Sequence, residues 1–346
     1  MASKGGGVLG AMGWLLLVAV IAAGAVAGWG WTQVQEFLAE APSREHAERI
    51  LELPRGSGPQ AISTLLADEG VVTDAEKFAL LLRWKKAAPG LRAGEFRFWT
   101  DQTPEDVLEF LLYAPEVTYS VTIPPGLRIE EMGARAAAAG RGSAERYVAL
   151  AQDKAFIESL NLGIEPLPDR LEGLLVPETY SFGRDADEED LLRAQIARFQ
   201  EIWSPERRAA AEALGMSPYE VTTLASVVEK ETGAAAERPL IAGVFHNRLR
   251  RGMKLESDPT IIYGLVNYDG NIRRSDIRRP HPWNTYVIPA LPPTPIAGPG
   301  VEAIDAVLHP DETRALFFVS RNDGTHHFSE TYAEHARMVR KYQRGG

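Results

Sequence analysis

Glu229, Lys230, Glu231 and Thr232 follow directly on an apolar run, residues 221–228. Carboxylates in such a position can carry acid–base chemistry. Ser217 with Glu220 fits a capping box and Pro218 suits the first helical position, so the run reads as a helix that stops at Gly233. Val221, Leu224, Ala225 and Val228 recur at i, i+3, i+4, i+7 and define a buried face. At about 100° per residue, Glu229 lies on one flank of that face and Glu231 on the other. The two are about 200° apart and cannot share a proton site. A carboxylate half-buried beside apolar side chains has a raised pKa and can act as a general acid. A solvated, charged helix end has the same local pattern, so the neighbouring segments must decide.

Those segments supply many polar groups. A second helix is expected at 236–251, with Leu240, Ile241, Val244 and Phe245 inward, ending in His246-Asn247-Arg248-Leu249. Asp258-Pro259-Thr260 reads as the cap of a short helix, 261–265, that carries Tyr263. Residues 267–299 form a long irregular stretch with Trp283-Asn284-Thr285-Tyr286 and Leu291-Pro292-Pro293, and loops of this length are usually functional. A strand at 315–320, a turn at Asn322-Asp323-Gly324, His326-His327-Phe328 and a helix at 331–342 close the chain. His326 and His327 diverge on a strand and make a poor metal pair. With no His-Glu-x-x-His and no cysteine, no zinc site is expected, and nothing in the pattern calls for a cofactor.

Composition narrows the function classes. The 346 residues carry a net charge of −10 and no basic run, which argues against a nucleic-acid partner. The absence of cysteine removes disulfide frameworks and thiolate nucleophiles. Residues 8–31 hold no charge, and roughly 20 apolar residues span a bilayer. Trp29 and Trp31 sit at the outer end, where an aromatic belt belongs, and Lys4 precedes the stretch. An uncleaved single-pass anchor with its N-terminus in the cytoplasm is the expectation. Ala25-Val26-Ala27 also resembles a signal-peptide processing site, but the apolar stretch is long for one.

The expected organisation is a cytoplasmic tail (1–7), a transmembrane helix (8–31), a linker (32–48), a small module (49–116) and a larger domain (117–346). The overall class is α+β. In the module, a strand at 50–53, helices at 59–68 and 74–86, and an alternating strand at 94–99 give the order β-α-α-β. This order resembles a LysM-like module, a fold that grips N-acetylated glycans. A plain structural spacer fits the same order. A further helix is expected at 103–112 and a strand at 117–123, before Pro124-Pro125-Gly126. The apolar segment 171–182 has Glu172 and Glu178 embedded in it.

Taken in order, Glu229-Lys230-Glu231-Thr232, Phe245-His246-Asn247-Arg248-Leu249, Ser257-Asp258-Pro259-Thr260, Tyr263-Gly264, Asn284-Thr285-Tyr286, Leu291-Pro292-Pro293 and His327-Phe328 resemble the YceG-like (MltG) family. Segments 91–98, 121–127 and 171–180 resemble it too. Members of that family are endolytic murein transglycosylases. The resemblance implies cleavage of the β-1,4 bond between N-acetylmuramic acid and N-acetylglucosamine in peptidoglycan strands, by one carboxylate acting as acid and then base. It places that role on Glu229. Asn247, Tyr263, Asn284, Tyr286 and His327 are candidate saccharide contacts, and each could equally staple a loop. Glu231, Arg248 and Asp258 are expected to be supporting groups, with Glu231 paired to Arg248. The resemblance also implies a bacterial inner-membrane location, an extracytoplasmic catalytic domain and a cell-wall synthase as partner. A hydrolase of the same glycan that uses water, and a non-catalytic glycan-binding scaffold, are the alternatives.

Overall fold

The computed structural model describes residues 6–343 of the chain. The expected cytoplasmic tail falls mostly on residues 1–5, outside those described. Among the described residues the architecture is mixed helix and sheet, with helices dominant and three separate two-stranded sheets. Two compact units are present. One runs to Tyr119 and includes Phe182–Arg184; the other comprises Ser120–Ser181 and the chain from Asp185 onward.

The first unit contains α1 (Gly6–Ala39), β1 (Glu48–Leu53), α2 (Pro59–Asp68), α3 (Ala75–Trp84), β2 (Gly94–Trp99) and α4 (Pro104–Tyr113). Leu17–Ala39 within α1 is long and apolar enough to cross a membrane. The helix continues past residue 31, where a linker was the expectation. Val34, Phe37 and Leu38 prolong its apolar register, and Phe37 packs into the core of this unit. β1 and β2 pair antiparallel, with Leu51 opposite Phe96 and Leu53 opposite Gly94. Local caps set the helix starts: the Asp74 carboxylate accepts from Lys77 N, and Thr103 with Asp106 forms a capping box. Phe78, Leu82, Phe96, Phe98 and Leu111 fill the centre.

The second unit opens with β3 (Tyr119–Thr122, from Ser120), α5 (Ile129–Ala138), α6 (Ala144–Leu150), α7 (Lys154–Ser159) and β4 (Thr179–Phe182, to Ser181). α8 (Glu188–Ile202), α9 (Pro205–Ala213), α10 (Pro218–Glu231) and α11 (Arg238–Arg250) follow. Next come α12 (Asp258–Tyr263), α13 (Arg274–Arg278), α14 (Val301–Leu308), β5 (Phe317–Ser320), β6 (His326–Ser329) and α15 (Tyr332–Gln343). β3 and β4 form one small sheet, tied by the Ser120–Ser181 and Thr122–Thr179 hydroxyl pairs, each at 2.9 Å. β5 and β6 pair antiparallel, Val319 opposite His327. The hub is α10, which packs against α9, α11, α12 and α14. Every residue from Val221 to Val228 is buried, so α10 is enclosed on all sides rather than on one face. Full burial stabilises by about 1.5–3 kcal/mol for each large aliphatic side chain, which anchors the helix firmly.

Candidate active site

The start of α10 is held by its own sequence. Glu220 N donates to Ser217 Oγ at 3.2 Å, and Ser217 N donates to the Glu220 carboxylate at 2.8 Å. The enclosed run then delivers Glu229 as the first charged residue beyond the core, with a side chain only 10% exposed. Two glycine-containing turns meet above it. Gly126 N donates to Gly298 O at 2.8 Å, and Gly298 N donates to Leu127 O at 2.8 Å. Gly300 N donates to Glu229 Oε2 at 3.1 Å, and Lys230 Nζ donates to Gly126 O at 3.0 Å. The Arg238 guanidinium stands 3.8 Å from Glu229 Oε1. Two of these positions favour glycine, one by backbone conformation and one by crowding. Gly126 has φ +80°, and a Cβ on Gly298 would lie 2.4 Å from Met132 Cε.

Beside Lys230 opens a cleft of about 990 Å³. Its walls include Arg128, Tyr263, His281, Trp283 and Ile296. Tyr263 and Trp283 lie with ring centroids 5.5 Å apart, and His281 is 5.2 Å from Trp283. The Arg128 guanidinium covers the Tyr263 ring at 4.9 Å. Trp283 Nε1 donates to Thr294 Oγ1 at 2.9 Å, which ties the aromatic wall to the proline-rich strap. The cleft therefore offers flat apolar rings edged by charges of both signs, Arg128, Arg170 and Lys230 with Glu130 and Glu131, a surface suited to a polar polymer with apolar ring faces.

Beneath Tyr263 sits Glu172, 1% exposed. Its carboxylate accepts from Tyr263 OH at 3.1 Å, from Arg170 Nη2 at 2.9 Å and from Ile129 N at 3.2 Å. Burial pushes its carboxyl up to about 7, against the opposing pull of Arg170. Glu231 is also pushed up to about 7 by burial, and Ser257 Oγ donates to it at 2.5 Å.

The structure gives different neighbours to several of the expected site residues. Of the saccharide candidates, Tyr263 lines the cleft. Asn247 instead donates to the Thr313 and Ala315 carbonyls at 2.8 and 3.0 Å, as a staple between α11 and the segment before β5. Asn284 donates to the carbonyls of Asp276, Ile277 and Arg279, and so closes its own loop. Tyr286 OH donates to Asp258 Oδ1 at 2.8 Å. His327 meets Glu334 at 3.4 Å, and His326 meets Glu237 at 2.8 Å.

The expected Glu231–Arg248 pair is replaced by Glu231–Ser257. Arg248 spends its donors on the carbonyls of Leu316, Lys254 and Leu255 and on Glu256. Ser257, not Asp258, occupies the cap position of α12. Arg238, Arg128 and His281 were not marked by the sequence pattern. The glycines at 126, 298 and 300 were the available signal for a close backbone approach.

The profile of the YceG-like family matches residues 51–341. The endolytic murein transglycosylase of Bacillus subtilis (strain 168) is 29% identical over 310 residues, covering 84% of this chain and 84% of its own length. That of Streptococcus pneumoniae serotype 2 (strain D39 / NCTC 7466) is 28% identical over 357 aligned positions, covering 95% of this chain. This chain spans 64% of the length of that streptococcal relative. A crystal structure of a YceG-like protein from Listeria monocytogenes superposes with a TM-score of 0.58 at 26% identity, covering 84% of this chain and 98% of that one. The match at 51–341 takes in α10, both glycine turns and the aromatic cleft, and the chain belongs to the YceG-like family.

Proposed function

We propose that the chain is an endolytic murein transglycosylase that cuts the β-1,4 bond between N-acetylmuramic acid and N-acetylglucosamine within nascent glycan strands. Glu229 is the acid. It gives a proton to the glycosidic oxygen as the bond to the anomeric carbon breaks. As carboxylate it then takes the proton of the muramic acid O6 hydroxyl, and O6 attacks that carbon. The products are a free N-acetylglucosamine O4 hydroxyl and a 1,6-anhydro end, with no water consumed. One carboxylate suffices, where ordinary glycosidases use two. The observation that carries this reading is the seat of Glu229: poorly exposed at the end of α10, beneath the two glycine turns. The aromatic cleft beside Lys230 supports it as the place of the strand. Seated glycan would exclude water from the acceptor position, which favours O6 over water.

Mass spectrometry of digested peptidoglycan tests the chemistry. Anhydro ends are expected, and reducing ends would establish the hydrolase instead. Glu229→Gln is expected to abolish cleavage while glycan binding and the melting temperature hold. Unchanged cleavage would remove Glu229 from the role, and a wild type that binds but never cuts would make the protein a scaffold.

The reading extends to location. α1 anchors the chain in the bacterial cytoplasmic membrane with its N-terminus inside, and the second unit works on the wall side. The β-α-α-β element of the first unit is a LysM-like module that holds glycan near the membrane, and a cell-wall synthase supplies the strand. The antiparallel β1–β2 pair around α2 and α3 supports the module assignment. A reporter fused after Tyr342 that is active only in the cytoplasm would reverse the orientation.

A further inference from the structure

The first unit carries an apolar surface that its own core leaves unused. α3 buries Phe78, Leu81 and Leu82, yet Leu80 is 60% exposed and Trp84 66% exposed. These two line a groove of about 340 Å³ with Leu81 and Lys77 of α3 and with Trp31, Val34, Phe37 and Leu38 of α1. Trp31 is itself 60% exposed and Val34 42%. Lys77 Nζ stands 5.9 Å from the Phe37 ring centroid. Trp84 lies about two turns further along α3, and Trp31 nearly two turns back along α1, toward the apolar span.

The position of this groove along α1 identifies its occupant. α1 has 34 residues, and a hydrocarbon core of ~30 Å takes up about 20 of them at ~1.5 Å each. Phe37 and Leu38 pack into the first unit's core, so the last turns of Leu17–Ala39 are taken up by protein and the span must draw on the earlier part of α1. With the hydrocarbon core starting near the beginning of α1, the groove begins within roughly 10 Å of the hydrocarbon edge, and the head-group layer is itself ~5–7 Å deep. Tryptophan is enriched in that layer. The charges around the patch fit it as well. Arg83, Lys85 and Lys86 flank Trp84, all exposed. Lys85 is shared between the Trp84 ring at 5.4 Å and Glu105 at 3.1 Å, and Lys77 faces Asp74 at 3.7 Å. Glu36 and Glu76 are the other acids on these elements, and Glu40 follows directly on α1. Arg83 and Lys86 have no carboxylate partner among the described residues; Arg83 makes only a long contact to Gln60 Oε1 at 3.5 Å, so both keep donors for phosphate.

We propose that the Leu80–Trp84 face of α3 inserts into the head-group layer of the same bilayer that α1 spans, with Arg83 and Lys86 on lipid phosphates. The inference rests on α1 being a membrane span, and it is independent of the chemistry at Glu229. It makes the first unit a second membrane contact, so that the chain is held at two points rather than swinging from one helix.

The chain has no cysteine, so single-cysteine variants of the full-length protein report single positions. Spin labels would be placed through Val20→Cys, Leu80→Cys and Asp68→Cys in nanodiscs of phosphatidylethanolamine and phosphatidylglycerol. Accessibility to oxygen and to a nickel chelate would then be measured. The label at position 80 should show an oxygen-to-nickel ratio several-fold above that at 68 and closer to that at 20. Adding Trp84→Glu should return position 80 to the ratio of position 68. A lipid-like ratio at 20 with an aqueous ratio at 80 would overturn the proposal and leave the span intact. An aqueous ratio at 20 would overturn both. Shielding of 80 from both reagents would mean a protein neighbour, and would equally overturn it.

Discussion

Replacing Glu172 by glutamine tests whether burial or Arg170 controls the carboxyl beneath the cleft. The side chain is 1% exposed, and burial outweighs the adjacent guanidinium, placing the carboxyl near 7 instead of its ordinary 4.5. A group whose folded pKa is raised binds its proton more tightly in the fold. Its contribution is therefore full below about 4.5 and is lost as pH rises through about 7. The span of roughly 2.5 pH units corresponds to about 3 kcal/mol at ~1.36 kcal/mol per unit. Glutamine keeps the shape and cannot titrate. Glu231, raised in the same way, continues to titrate in both proteins and cancels in the comparison. The difference in stability between Glu172→Gln and the wild type should thus move by about 3 kcal/mol in favour of the variant between pH 4.5 and pH 8. For a unit of this size that is roughly 5–10 °C in melting temperature. Thermal melts of the detergent-solubilised chain at half-unit pH steps would measure it. A difference that stays flat across the series would show Glu172 ionised throughout, with Arg170 prevailing, and would refute the argument.

Other substitutions separate staples from glycan contacts. Asn247→Ala strips the donor from two carbonyls and should cost about 1–3 kcal/mol, read as a lower melting temperature, while KM for glycan is unchanged. Trp283→Ala should do the reverse, raising KM several-fold through the loss of a cleft wall, as measured with defined glycan strands. Ser257→Ala leaves the partly buried Glu231 carboxyl without its hydroxyl donor and should destabilise by about 1–3 kcal/mol in chemical denaturation. Gly298→Ala drives a Cβ toward Met132 and the Leu175 carbonyl and should cost about 1–3 kcal/mol, with activity falling as the turn above Glu229 shifts.

Elements were most legible where local chemistry alone determines them. The Ser217–Glu220 box, the Asp74 cap and the alternation at 94–99 each specify a boundary within a few residues, and the structure has those boundaries. Glu229 stood out for the same reason, as the first charge after eight residues with no charge. Its partners did not. Gly300 lies 71 residues away, and a backbone N–H has no signature in side-chain type. Asn247 and Asn284 show the converse difficulty. An amide that staples carbonyls and an amide that binds a sugar are the same residue, and only the three-dimensional neighbourhood distinguishes them. α1 ran on beyond the apolar stretch because Phe37 found a core to join, a tertiary effect that local polarity conceals.

The seat of Glu229 is assembled from distant parts of the chain, which fixes when in folding it can form. Its backbone donor comes from 71 residues downstream, and the carbonyl that holds Lys230 comes from 104 residues upstream. Such long closures form late, after local helices have already appeared. A partly completed chain can therefore hold a complete α10 and still lack the surroundings of Glu229. The seat of Glu229 is therefore complete only once the chain has run on through Gly300 and the second unit has closed around α10.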